Sequence, residues 1–458
     1  MVFSSIVFIF RFLPITLIIY FISPRKYRNF ILLVISLIFY SWGEAKYFFI
    51  MIASIGVDYF VSRGIEKYRR KRYMSIALLC ISILFNLGIL IFFKYFNFFV
   101  DNINLLFGLS LSQIKITLPL GISFYTFQTM SYTIDVFKGK VEAEKNIINF
   151  GAFVCLFPQL IAGPIVKYTD INEELKERVV NKNQIEKGIE LFIFGLGKKV
   201  LIANNIGMLW SEIEAMGISN ISMPLAWLGI IAFAFQIYFD FSGYSLMAIG
   251  LGNMLGFSFP RNFNYPYISK SISEFWRRWH ITLGDWFKEY LYFPLGGNRV
   301  KKSRMIFNLF LVWFLTGFWH GASYNFILWG LLFFLLISIE KFGFIKFLDK
   351  HRFISHVYVI FFLLIGWTLF AITDLSVAKE YIVKLFSLDF RLDIYYYLRN
   401  YGIILIVATI FSIPIIEKLY EKIMKIDILK TILLIIIFLI SIAYLVDSTY
   451  NPFLYFRF

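Results

Sequence analysis

Apolar runs recur along this 458-residue chain, near 5–22, 29–42, 45–61, 75–99, 118–137, 188–208, 223–250, 306–338, 357–373, 401–416 and 430–447. A helix needs about 20 apolar residues to cross a bilayer, and only helices or closed barrels can span one. The pattern therefore predicts an all-α polytopic integral membrane protein with about 11 transmembrane helices. A soluble fold fails on composition: 59% of the residues are hydrophobic and 16% charged, with mean hydropathy +0.72. Soluble domains carry roughly 25% charged residues. The stretch 147–166 is apolar but interrupted by Pro158, Gly163 and Pro164. Irregular backbone at membrane depth survives only where protein or a water-filled cavity surrounds it, so this segment suggests a cavity. Without a repeat or a long linker, 1–458 reads as a single membrane-embedded domain, with 448–458 as an aromatic C-terminal tail.

A net charge of +16 would suit a nucleic-acid partner, but here the basic residues sit in short loops between apolar runs. That distribution points to the lipid bilayer and away from nucleic acid. The 62–72 loop holds Arg63, Lys67, Arg69, Arg70, Lys71 and Arg72 and is expected to be cytoplasmic. Counting outward puts both termini outside, 101–117 outside, and the basic stretch 261–304 inside. The 341–352 segment also reads as cytoplasmic, so the run 306–338 has to enter and leave on one side. Its 33 residues would extend about 50 Å as one helix. A re-entrant turn at TGFWHGA (316–322), with Gly317 and Gly321 as the permissive positions, satisfies the count. One long tilted helix is the competing reading. The first apolar run lacks a basic n-region and is expected to stay as a membrane helix. Cys80 and Cys155 each lie in an apolar stretch and give neither a disulfide framework nor zinc spacing.

Only four histidines occur: His280, His320, His351 and His356. The last two flank a basic loop and read as solvated or interfacial. His320, between Trp319 and Gly321 and near Trp313, has no ordinary aqueous surface, and a polar group at such depth is a functional candidate. A neutral imidazole can take a proton from an attacking hydroxyl; a histidine hydrogen-bonded between helices is the alternative. His280 lies in SISEFWRRWHITLGDWFKEYLYFPLGGNR (271–299). As one helix, this segment places Phe275, Trp279, Leu283, Trp286 and Tyr290 on one face and Arg277 and Lys288 on the other, an interfacial amphipathic helix. Arg277 and Arg278 suit the phosphates of a coenzyme A thioester, and equally lipid headgroups. Asp240, Gln128 and Gln159, alone in apolar runs, are each a candidate for lining a cavity, with a hydrogen bond between helices as the favoured reading. Walker, GxSxG, HExxH and DxD patterns are all missing from the sequence.

The segments LPLGISFYTFQTMSYTIDVFKG (118–139), FPQLIAGPIVKY (157–168), FDFSGYSLMAIGLGNMLGF (239–257), FWRRWHITLGDWFKEYLYFPLGGNR (275–299) and FLTGFWHGASYNFILWG (314–330) resemble the membrane-bound O-acyltransferase family. The nearest likeness is to its bacterial branch that acetylates alginate, cellulose or peptidoglycan, with the teichoic acid D-alanyl transferase as a relative. The resemblance implies re-entrant and interfacial helices around a central funnel, His320 as the catalytic histidine, and His280 as a second important polar residue. It implies acyl transfer from a cytoplasmic thioester donor such as acetyl-CoA, with no permanently bound cofactor. The acceptor would be an extracytoplasmic polysaccharide served by a separate SGNH-type transferase, and the location a bacterial cytoplasmic membrane. The ending STYNPFLYFRF (448–458) resembles a tail in which a tyrosine carries the acyl group as an ester; Tyr455 is the matching position. An aromatic interfacial anchor is the plain alternative. D-alanyl transfer, a transporter or flippase, and a non-catalytic scaffold are the rival functions.

Overall fold

The computed structural model describes residues 2–161, 163–423, 426–447, 450–452 and 454. Every regular element among them is helical. Among the described residues, seven helices are long and apolar enough to cross a membrane: Phe48–Lys67, Arg72–Phe107, Lys182–Ala215, Met223–Met254, Arg352–Ala371, Ile394–Phe411 and Asp427–Asp447. Several expected spans form shorter helices, including Phe8–Ile22, Arg28–Glu44 and Ile122–Lys138. The run 306–338 divides into Lys302–His320 and Tyr324–Ile339, with the chain turning at residues 321–323.

Two compact units emerge, one of residues 1–192 with 246–260, the other of 193–245 with 261–458. In the first, a polar knot ties three helices. The buried Asp58 carboxylate accepts hydrogen bonds from Ser82 Oγ at 2.5 Å, Asn86 Nδ2 at 2.8 Å and Thr133 Oγ1 at 3.3 Å. Thr129 Oγ1 donates to Asn86 Oδ1 at 3.0 Å. Asp58→Ala strips the Ser82 hydroxyl and one Asn86 amide proton of their acceptor, while Thr133 Oγ1 keeps the Thr129 carbonyl at 3.0 Å. Each buried orphan costs about 1–3 kcal/mol. A clear drop in the thermal midpoint is expected, read by fluorescence-detected size exclusion, with a smaller drop for Asp58→Asn. An unchanged midpoint for Asp58→Ala would show that the knot contributes no stability.

The interrupted segment also lies in this unit. Helix Ile147–Cys155 ends at Leu156, and Phe157–Leu160 forms one short turn. Protein surrounds this irregular backbone: residues 157–161 are buried, Phe157 N–H donates to Ser36 Oγ at 3.1 Å, and Gln159 Nε2 donates to the Phe153 carbonyl at 2.5 Å.

The second unit corrects the reading of 271–299 as a single helix. Helix Ile272–Arg278 stops at Trp279, and His280 takes a left-handed conformation (φ 42°, ψ 55°) before helix Ile281–Phe287 begins. Competing backbone bonds make the break. Asn264 N–H donates to the Arg278 carbonyl and Ile281 N–H to the Asn262 carbonyl, both at 2.9 Å. The segment 262–264 thereby takes over groups that a continuous helix would pair internally. The predicted apolar stripe of Phe275, Trp279, Leu283, Trp286 and Tyr290 is buried all the same, while Arg277 and Lys288 are exposed.

Candidate active site

His320 is the last residue of Lys302–His320, and the hairpin it terminates is drawn together by glycine. A Cβ on Gly317 would lie 2.3 Å from the Phe326 carbonyl oxygen, and one on Gly330 would lie 2.4 Å from the Trp313 carbonyl oxygen. The two backbones touch at this crossing, as small residues permit between membrane helices. The His320 ring is 5% exposed and set edge-on among Trp319, Trp329 and Phe370, with centroids at 5.0, 5.0 and 5.1 Å. These three rings flank it on several sides.

His280 is held by a different device. Its Nδ1 lies 3.0 Å from Asn262 Oδ1, which also receives the Thr282 hydroxyl at 2.9 Å and the Thr282 backbone N–H at 3.3 Å. A backbone N–H can only donate, so the Asn262 atom facing these groups is its oxygen. Nδ1 must therefore carry the proton, leaving Nε2 as the lone-pair nitrogen. Burial drives the His280 pKa down to about 3, which keeps the ring neutral around pH 7. Left-handed backbone at a non-glycine residue is strained by roughly 1–3 kcal/mol, and among the described residues only Tyr265 shares it.

Both histidines line one cavity of about 560 Å³. Its apolar wall includes Trp276, Trp279 and Trp313, and its rim carries the exposed cations Arg277, Lys288 and Lys341 against one acid, Asp285. Lys341 Nζ donates to Asn298 Oδ1 at 2.9 Å, and the Tyr292 hydroxyl donates to the same oxygen at 2.6 Å. Helix Ile272–Arg278, which presents Arg277, is anchored by the buried Glu340 carboxylate. That group accepts from Ile272 N–H at 2.6 Å and Ser273 N–H at 2.9 Å. The arrangement brings a proton acceptor, an apolar chamber and a cationic entrance into one space.

Arg278 does not line this cavity. Successive helical residues project about 100° apart, and its guanidinium is engaged by Glu274 at 2.9 Å and by the Asn264 carbonyl at 3.1 Å. It braces the loop that bears Asn262. His351 is exposed, and His356 Nδ1 lies 3.2 Å from the Ser269 carbonyl oxygen. Asp240 pairs with Lys199 at 2.8 Å. Tyr455 lies outside the described residues. The sequence reading overlooked Asn262 and Lys341. An asparagine in the aromatic loop after Pro260 was the available signal for the first; nothing local marks Lys341 among the many basic residues.

The sequence profile described as "MBOAT, membrane-bound O-acyltransferase family" matches residues 143–373. Two relatives align over far more. The chain is 40% identical over 397 residues to the Azotobacter vinelandii protein named "Probable alginate O-acetylase AlgI", covering 84% of this chain and 78% of that protein. The chain belongs to the membrane-bound O-acyltransferase family. As a family member it is a multi-pass membrane enzyme, an O-acyltransferase. It is also 37% identical over 373 residues to the peptidoglycan O-acetyltransferase of Helicobacter pylori, covering 74% of this chain and 70% of that protein. It is 30% identical over 230 residues to the teichoic acid D-alanyltransferase of Streptococcus thermophilus, covering 46% of this chain and 54% of that protein. The matched family region contains both cavity histidines and all three rim cations.

Proposed function

We propose that this acyltransferase moves an acetyl group from a cytoplasmic thioester, acetyl-CoA, to the outer side of a bacterial cytoplasmic membrane for O-acetylation of a polysaccharide. The observation that carries the reading is the cavity itself, in which two buried histidines lie behind a cationic rim. Acetyl rather than D-alanyl is favoured because the acetylating relatives match this chain more extensively and at higher identity. Both termini are assigned to the outside on the distribution of Lys and Arg.

In the proposed reaction Arg277 and Lys288, joined by Lys341, hold the phosphates of the donor. His320 takes the proton from the Tyr455 phenol, or directly from an acceptor hydroxyl. The oxygen attacks the thioester carbon, the new C–O bond replaces the C–S bond, and the departing thiolate takes a proton to leave as thiol. A phenol of pKa about 10 needs such a base. With Nδ1 committed to Asn262, His280 can accept a hydrogen bond but not donate one to the thioester carbonyl. It acts by positioning the donor or the nucleophile. The acyl group then passes to a sugar hydroxyl through a separate extracytoplasmic SGNH-type transferase.

Isotope-labelled acetyl-CoA given to purified protein is expected to leave a labelled acetyl group on the C-terminal peptide at Tyr455, seen by intact mass spectrometry and absent in Tyr455→Phe. An active enzyme without that adduct would mean direct transfer to the acceptor. The rim makes a separate prediction. Charged hydrogen bonds contribute about 1.5–3 kcal/mol, so Arg277→Ala with Lys288→Ala should raise KM for acetyl-CoA about tenfold or more with kcat largely kept. An unchanged KM would remove both residues from donor binding.

A further inference from the structure

Residues 450–452 and 454 meet a buried polar site that the chemistry above leaves unused. Lys199 Nζ and Asp240 Oδ1 form an ion pair at 2.8 Å, with side chains 1% and 2% exposed. Each residue sits near the middle of a long apolar helix, Lys182–Ala215 and Met223–Met254 respectively. Charges at such depth are expensive and need complete pairing. The remaining partners are supplied by Asn204 and by the tail. An ammonium has three protons to donate. Besides Asp240, Lys199 Nζ donates to Asn204 Oδ1 at 2.8 Å and to the Pro452 carbonyl. The second carboxylate oxygen, Asp240 Oδ2, accepts from Leu454 N–H at 2.9 Å.

Neighbouring contacts extend the seat. Asn204 Nδ2 donates to Asn451 Oδ1 at 3.2 Å, and the Tyr450 hydroxyl lies 3.0 Å from Ser211 Oγ and accepts from Gln236 Nε2 at 3.4 Å. Gly207 keeps the space open: a Cβ there would stand 2.4 Å from Gln236 Nε2 and 3.0 Å from the Tyr450 hydroxyl. Phe241, the residue after Asp240, packs edge-on against the His280 ring with centroids 4.7 Å apart. The tail is thus bonded to the helix segment that also forms the wall behind His280.

We infer that the Lys199–Asp240 pair is a clamp that seats residues 450–452 and 454 beside the His280 wall, so that the tail is held for the reaction. Two facing helices would need only the ion pair to be bridged, yet two of the clamp's hydrogen bonds go to tail backbone. The seating stands on these contacts alone; its catalytic consequence rests on Tyr455 as the acyl carrier.

Carboxypeptidase Y digestion of the full-length protein, followed by intact mass, reads the clamp directly. Lys199→Leu with Asp240→Leu removes both charges together, avoiding a lone buried ion. Gly207→Leu blocks the seat while leaving the charges in place, and it keeps the test valid should the double variant misfold. Removal of residues 450–454 is expected to be slow in the wild type and at least tenfold faster in either variant that still elutes as folded protein. Wild-type resistance in a folded variant would overturn the clamp. Labelled-acetyl transfer by the same samples separates the two readings. Faster digestion with kcat down and KM for acetyl-CoA unchanged supports clamp and carrier together. Faster digestion with undiminished acceptor acetylation upholds the clamp and removes the carrier.

Discussion

His320→Ala is expected to lower acetyl transfer by at least about 100-fold, the low end of what a positioned general base contributes. The variant should still extract, elute and melt close to wild type. The effect is expected to be chemical because of where the ring sits: at the end of a helix, lining the cavity, oriented edge-on by Trp319, Trp329 and Phe370. Its removal leaves a space in an aromatic wall, a defect that lowers the melting point only slightly and leaves the turn intact, since Gly321 and the crossing at Gly317 and Gly330 shape the hairpin. His320→Phe is the discriminating companion. It restores ring packing without a lone pair and should remain as inactive as alanine. Recovery of turnover in the phenylalanine variant would make His320 a packing residue and move the base elsewhere, with His280 Nε2 as the next candidate.

Seven of the eleven expected runs form helices long and apolar enough to span, and these were legible because lipid imposes a length and a polarity that propensity cannot override. The split of 306–338 was reached from charge counting together with the length of the run, with one long tilted helix left as the rival. The turn falls at 321–323, where a Cβ on Gly321 would lie 2.3 Å from the Phe326 ring. His280 is the instructive miss. The spacing of Phe275, Trp279, Leu283, Trp286 and Tyr290 is helical, and all five are buried, yet the helix is broken among them. Periodicity reports which side chains face inward. It is blind to a distant backbone, here 262–264, that captures the Arg278 carbonyl and the Ile281 amide. That capture brings Asn262 onto His280 and selects its tautomer. The division of labour between Arg277 and Arg278 was illegible for a related reason: adjacent arginines look equivalent until Glu274 and Asn264 claim one of them.

Gly330→Leu is expected to reduce kcat by about two orders of magnitude while leaving KM for acetyl-CoA nearly unchanged. The first atom of any side chain at this position falls 2.4 Å from the Trp313 carbonyl oxygen and 3.2 Å from Gly317 Cα. Both neighbours are backbone, so a rotamer change cannot relieve the clash. The helices must separate, and His320 lies three residues beyond Gly317 on the arm that moves. A displacement of about 1 Å at a catalytic group can cost about 100-fold. Arg277, Lys288 and Lys341 all lie outside the Lys302–His320 arm that moves, and Glu340 ties the end of the other arm to Ile272 and Ser273, so donor affinity should survive. Gly88→Ala and Gly402→Ala serve as controls, because a Cβ at either meets nothing within 4 Å. They separate steric displacement from any general penalty of altering a membrane-helix glycine. If Gly330→Leu kept wild-type kcat, the crossing would be too compliant to fix the base. Placement of His320 would then rest on its ring contacts with Trp329 and Phe370 rather than on the backbone of the hairpin.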